Sequence, residues 1–287
     1  MSPAPGPVRR WVLAARARTL PAAIVPVVVG ALSVRPTAMN ATRTLGAAVV
    51  ALALQIGTNY ANDFSDGVKG TDENRVGPFR LTASGLVHKN LVRTMAFAWF
   101  FLAALVGLML AFATTLWLVP IGVSAVLAGW FYTGGPKPYG YFGFGELFVM
   151  IYFGFVATVG TAYLQNQHVP SRTWWLALMC GSMACAMLES NNLRDVAGDI
   201  ESGKKTLAAR LGRQRASWLY VACVLGVALG AGGALKFGFL FGLLYLVPLH
   251  RLVFTNFQGR ALLPLLQITS HIQLTIGAGI AVVLLAQ

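Results

Sequence analysis

The chain has 287 residues, 56% of them hydrophobic and only 11% charged, against roughly 25% charged in an ordinary soluble domain. That balance excludes a large soluble domain and a disordered chain, and three cysteines (Cys180, Cys185, Cys223) set in apolar runs exclude a disulfide scaffold. A net charge of +13 could point to nucleic acid, but in so apolar a chain its distribution must first be read against a membrane.

From the N-terminus, Ser2 to Arg18 carries arginines and no acids and reads as an uncleaved anchor. A bilayer span needs ~20 mostly apolar residues. That length test predicts spans near 19–35, 43–64, 92–112, 116–133, 145–165, 172–190, 215–233, 237–254 and 264–286. The 43 uncharged residues between Arg93 and Lys137 are too long for one helix and predict a hairpin turning near Ala113–Thr115. The run at 237–254 is the shortest in clean apolar sequence, and its end at His250 and Arg251 has to snorkel. With nine spans, 18 of the 22 Lys and Arg fall on the side of the N-terminus, and only Arg35, Arg43, Arg172 and Lys236 fall on the other. The positive-inside bias therefore predicts a cytoplasmic N-terminus and accounts for the charge without nucleic acid. The expectation is a single all-α membrane domain over residues 1–287, a bundle of nine transmembrane helices.

The acids are the more informative charges. Eight of nine sit in two places: Asp63, Asp66, Asp72 and Glu73 where span 2 ends, and Glu189, Asp195, Asp199 and Glu201 where span 6 ends. Asn59, Asn62, Asp63 and Asp66 recur at i, i+3, i+4 and i+7, which predicts one helix face. Asn191, Asp195 and Asp199 recur every four residues, again along one face. The two motifs, near 59–72 and 191–204, are pseudo-repeats on spans that run in the same direction, so both faces are expected to open into one cavity at the cytoplasmic side.

Carboxylates stacked at a membrane boundary repel one another and need a cation between them. Oxygen ligands without a His or Cys pattern favour a hard divalent ion, Mg²⁺ first, which typically completes its octahedron with water and phosphate oxygens. A phosphate-bearing substrate follows, and Lys69, Arg75, Arg80, Lys204, Lys205 and Arg210 beside the motifs are suited to bind it. A prenyl diphosphate satisfies both demands, because its head is a metal ligand and its tail a hydrocarbon. Its ionisation leaves an allylic cation that aromatic faces can shield. Eleven of the 32 aromatic residues fall between 130 and 155, with Tyr139 favoured for that role. A membrane transporter is the competing class, but transport favours acids near mid-bilayer on interrupted helices, and these lie at span ends.

The runs Asn59–Gly67 with Gly70-Thr71-Asp72, and Asn191–Asp195 through Asp199 to Leu207, resemble the two Asp-rich motifs of the UbiA-type intramembrane prenyltransferase superfamily. Arg16–Pro21, Gly77–Gly85 and Tyr132–Pro138 add to the likeness, which is nearest to the members acting on 1,4-dihydroxy-2-naphthoate in menaquinone biosynthesis, the MenA type. The resemblance implies a helical bundle around a central cavity in the bacterial cytoplasmic membrane, with two Mg²⁺ ions, replaceable by Mn²⁺, joining diphosphate to the motifs. It implies metal ligation by Asn62, Asp63, Asp66, Asp195 and Asp199, and diphosphate binding by Asn59, Arg18, Lys69, Arg80, Asn191, Arg194 and Lys204. Gly70 stands where the superfamily often has a third acid, and Asp72 falls off that spacing. The implied reaction moves a polyprenyl group from polyprenyl diphosphate to 1,4-dihydroxy-2-naphthoate, with loss of CO₂ and diphosphate, giving demethylmenaquinone. 4-Hydroxybenzoate and homogentisate are the alternative acceptors. A basic side chain is expected to orient the acceptor carboxylate, with Lys137 as a candidate.

Overall fold

A proline at each start and a break between them divide the N-terminal apolar sequence into α1 (Pro7–Ala14) and α2 (Pro21–Leu32), inclined at 53° to one another. The computed structural model describes residues 5–34, 36–71, 79–253 and 259–287, and among these every regular element is helical. After α2 come α3 (Ala41–Val68), α4 (Lys89–Ala113), α5 (Leu118–Phe131) and α6 (Gly145–Asn166), the last with a π-helical stretch at Met150–Val156. Then follow α7 (Ser171–Glu201), α8 (Leu207–Ala234), a 3₁₀ stretch at Gly238–Tyr245 leading into α9 (Leu246–Val253), and α10 (Leu263–Leu285).

A helical segment underlies each predicted apolar run, and the predicted hairpin turns at Thr114 between α4 and α5. Among the described residues, α3, α4, α6, α8 and α10 are long and apolar enough to cross a membrane, and the bent α1–α2 pair makes a sixth candidate. Segments 118–131 and 238–250 are shorter. The polar ends of the helices lie beyond their predicted limits: α3 continues to Val68, α7 to Glu201, and α8 begins at Leu207. Hydropathy stops counting where charge begins, whereas the i→i−4 hydrogen-bond ladder continues through polar residues. At 31 residues α7 is about 46 Å long, more than the ~30 Å hydrocarbon layer, so its acidic last turns have room to stand outside it.

Small residues bring the helices together. A Cβ at Gly154 of α6 would lie 2.8 Å from the Gly181 Cα of α7, and one at Gly230 of α8 would lie 2.5 Å from the Met179 nitrogen of α7. The core built on these approaches joins Met179, Met183 and Ala186 of α7 to Tyr220, Val224 and Val227 of α8 and Ile276 and Ile280 of α10. Large apolar side chains such as Phe101, Phe112, Leu229 and Val282 stay exposed on the outside, the pattern of a bundle solvated by lipid.

Candidate functional site

The last three turns of α3 form one wall. Asn62 and Asp66 are buried and face a cavity of about 790 Å³. Asp66 is the hub: its Oδ1 accepts from the Tyr141 hydroxyl at 2.7 Å and lies 3.2 Å from Lys204 Nζ, while its Oδ2 lies 3.6 Å from Arg80 Nη2. Asn62 Oδ1 accepts from Thr133 Oγ1 at 2.8 Å.

Asp63 points elsewhere. Its two carboxylate oxygens accept the backbone amides of Leu81 and Thr82, each at 2.8 Å, and it does not line the cavity. The expected single face thus splits. Asn62 and Asp63 are successive residues about 100° apart around the helix, and the amides of Leu81 and Thr82 hold Asp63 away from the cavity that Asn62 lines. Asp63 anchors the segment that carries Arg80, which does line the cavity.

The second wall is α7, from which Asn191, Asp195 and Asp199 line the cavity. Asp195 receives a two-pronged ion pair from its neighbour Arg194, with both N–O distances 2.7 Å. Asp199 Oδ2 accepts from Thr206 Oγ1 at 3.3 Å, and its carbonyl accepts the Lys204 amide at 2.8 Å. Thr206 also caps α8 through Ala209. The α7–α8 turn is stitched to the segment after α5: the Lys205 amide donates to the Tyr141 carbonyl at 2.8 Å, and Arg210 donates to the Phe142 carbonyl at 2.9 Å. The Tyr141 ring lies between Lys69 and Lys204, each Nζ 4.7 Å from its centroid. Burial pulls the Lys69 ammonium below its ordinary range, the neighbouring Asp66 pushes it up, and Lys204 pulls it down again.

Away from these charges the cavity is apolar. Val50, Leu54, Leu110, Leu118 and Ile121 line it, and along α3 it extends from Ala47 to Asp66, about 28 Å of helix. Next to the charged end stand Tyr139, Phe148 and Tyr152. The Tyr139 ring stacks on Phe148 at 3.9 Å and its hydroxyl donates to the Ala128 carbonyl at 3.0 Å. Burial first, then Tyr152, pushes the Tyr139 phenol above its ordinary range, so this ring presents a neutral π face.

The structure gathers Asn59, Asn62, Asp66, Arg80, Tyr139, Asn191, Asp195, Asp199 and Lys204 around one cavity. It does not bring Asp63, Arg18, Lys69 or Arg194 into the wall. Arg18 is exposed, Lys69 reaches the Thr133 carbonyl at 2.7 Å behind Tyr141, and Arg194 is occupied by Asp195. Lys137 is exposed and also outside the lining. Asp72, Glu73 and Arg75 lie outside the described residues.

Two groups escaped the sequence reading. Arg16, in the stretch Arg16–Pro21, and Tyr141, in the aromatic run 130–155, both line the cavity, and nothing in their spacing marks them. The ninth acid, Glu146, had the signal of standing alone in an apolar run. It accepts from Asn192 Nδ2, on the α7 wall, at 2.9 Å and meets the fully buried Glu189.

As a metal site the donor set is all oxygen, drawn from two walls. Among the described residues no three His, Cys, Asp or Glu side chains converge closely enough to cage an ion alone. The all-oxygen donor set suits Mg²⁺, which takes one or two carboxylates and leaves its other positions to water and phosphate.

Residues 23–261 match the model of the UbiA prenyltransferase family. The chain is 47% identical over 214 residues to 1,4-dihydroxy-2-naphthoate octaprenyltransferase of Mycobacterium tuberculosis, covering 74% of this chain and 73% of the relative. It is 35% identical over 223 residues to the enzyme of that name from Escherichia coli, covering 75% and 72%. Its fold is similar to an apo UbiA homologue from Aeropyrum pernix (TM-score 0.70, 16% identity, 92% of this chain and 97% of that one). It is also similar to a UbiA homologue from Archaeoglobus fulgidus bound to DMAPP and Mg²⁺ (TM-score 0.64, 14% identity, 96% and 99%).

Proposed function

This chain belongs to the UbiA prenyltransferase family and is a membrane-embedded prenyltransferase, and from that premise we propose that it transfers a polyprenyl group from polyprenyl diphosphate to 1,4-dihydroxy-2-naphthoate. Carbon dioxide and diphosphate leave, and the direct product is the hydroquinone demethylmenaquinol, which yields demethylmenaquinone only on a separate two-electron oxidation. The acceptor rests on relatives 47% and 35% identical that carry this activity in their names. One observation carries the chemistry: acids from two helices and two cations meet at one end of a cavity that is otherwise apolar over most of its length. A diphosphate head and a hydrocarbon tail need those two environments joined.

In this reading Asp66, Asp195 and Asp199, with Asn62, hold two Mg²⁺ ions, and Mn²⁺ can replace them. The bound ions supply neutralisation of charge on the departing diphosphate oxygens. Lys204 and Arg80, which lie 3.2 and 3.6 Å from Asp66, would bind phosphate oxygens, with Asn191 beside them. Tyr139, stacked on Phe148, turns its face to the allylic cation, and the apolar lining keeps water from it. The electron-rich ring of the acceptor attacks that cation, and the carboxylate leaves as the ring regains aromaticity. Asp63 holds the Arg80 segment in place through Leu81 and Thr82.

We place the chain in the bacterial cytoplasmic membrane as one domain with nine crossings, the N-terminus and the charged end of the cavity on the cytoplasmic side. The excess of Lys and Arg on that side supports this topology. The test is a panel of aromatic acceptors offered with one polyprenyl diphosphate to the detergent-purified protein, with products read by mass. Prenylation of 1,4-dihydroxy-2-naphthoate with loss of CO₂ is expected. A prenylated 4-hydroxybenzoate or homogentisate, with no naphthoate product, overturns the acceptor assignment.

A further inference from the structure

Among the described residues three basic side chains line the cavity: Arg16, Arg80 and Lys204. Arg80 and Lys204 both face Asp66. Arg16 does not, and among the described residues its buried Nη2 has no hydrogen-bond partner. A guanidinium kept at the wall of an apolar chamber without an acid is costly unless an anion comes to it.

The backbone around Arg16 is built to hold that position. Arg16 has φ 54° and ψ 65°, the left-handed region that side-chain-bearing residues rarely adopt and that tends to mark functional positions. Thr19 fixes the break: its amide and its hydroxyl donate to the Arg16 carbonyl at 2.8 and 2.9 Å. Its hydroxyl oxygen in turn accepts from Gln55 Nε2 and Asn59 Nδ2, each at 3.1 Å. Asn59 Nδ2 also reaches the Ala15 carbonyl at 2.9 Å. The amide of Asn59, expected to bind diphosphate, is therefore spent on clamping residues 15–19 to α3. Asn59 precedes Asp66 by seven residues, about 10 Å along the helix, so the clamp lies deeper along the cavity than the charged hub.

We propose that Arg16 binds the carboxylate of the aromatic acceptor. Its planar fork matches a carboxylate in two-pronged fashion, while Arg80 and Lys204, which already face Asp66, are left for the diphosphate. Exposed Lys137 lies outside the cavity and has no part in this. The assignment rests on the reading that the acceptor is 1,4-dihydroxy-2-naphthoate, and it predicts discrimination against the same ring without its carboxylate.

The test uses the full-length protein in detergent with 1,4-dihydroxy-2-naphthoate and with 1,4-dihydroxynaphthalene, which lacks the carboxylate. Arg16→Gly suits it because glycine is at ease at positive φ, and Arg16→Lys keeps the charge but loses the fork. Arg16→Gly should raise the acceptor KM at least about tenfold, the loss of a charged hydrogen bond, and abolish the preference for the carboxylated ring. The prenyl diphosphate KM should stay within about twofold. Arg16→Lys should fall between. A raised prenyl diphosphate KM with an unchanged acceptor KM would assign Arg16 to the head group instead and overturn the proposal, as would no change in either. If the unmodified protein fails to prenylate the naphthoate, the acceptor reading falls before the variants are compared.

Discussion

The α3 and α7 walls read alike in sequence and are wired differently in space. Shifting α3 onto α7 by 132 residues pairs Asn59 with Asn191 and Asp63 with Asp195. Yet Asp195 faces the cavity, while Asp63 is turned onto two backbone amides and Asp66 takes the inward position. The reason lies in what packs behind each helix. Behind α3 the incoming 79–85 segment brings two amides that need an acceptor. Against α7 stands Glu146, whose partner is the amide of Asn192, a residue of the cavity wall. The described contacts differ too: Asp195 receives a two-pronged ion pair from Arg194, the residue before it, and Asp66 meets Tyr141, Lys204 and Arg80 from three separate segments. A repeated spacing therefore specifies a repeated helix face only as far as the neighbouring elements allow.

The comparison can be broken most severely by removing what both walls would share. Excess chelator should abolish prenyl transfer by purified protein, and added Mg²⁺ or Mn²⁺ should restore it; undiminished turnover in chelator would leave the acidic walls without their function. Next come the inward acids. Asp66→Ala and Asp195→Ala should each cost at least about 10²–10³-fold in single-turnover prenylation with the folded bundle retained on size exclusion. Should one variant keep near-normal rates, the walls are not equivalent in the chemistry.

Two smaller effects sharpen the contrast. Lys204→Ala should raise the prenyl diphosphate KM about tenfold and spare the acceptor KM; a selective acceptor effect would move Lys204 away from the head group. Asp63→Asn should act first on stability, because a carboxamide can accept only through its one oxygen and turns an NH₂ towards a backbone amide. A loss of about 1–3 kcal/mol is expected in thermal or denaturant unfolding, with a smaller catalytic deficit than Asp66→Asn. The reverse order would make Asp63 a metal ligand after all. Least affected should be Glu146→Gln, since the glutamine oxygen still accepts from Asn192: turnover within about threefold, measured beside Glu146→Leu, which removes that acceptor.

Much of this molecule is legible along the chain because a bilayer imposes coarse rules. Apolar runs of span length must be helical when lipid offers the backbone no hydrogen bonds, and a carboxylate next to hydrocarbon must have a reason to be there. Those constraints alone locate the helical segments, the hairpin between α4 and α5, the two acidic motifs and the need for cations between them. They do not resolve angles of 100° around a helix, the closure of a turn, or which cation meets which acid. Asp63 rather than Asp66 becoming the anchor, Arg16 rather than Arg18 entering the cavity, and Tyr141 bridging Lys69 and Lys204 all depend on segments far apart in sequence arriving at one place. The linear pattern fixes how much charge must be buried and where along each helix; only three-dimensional packing decides which side chain turns inward, because a backbone amide or a neighbouring carboxyl can claim a polar group as effectively as a substrate can.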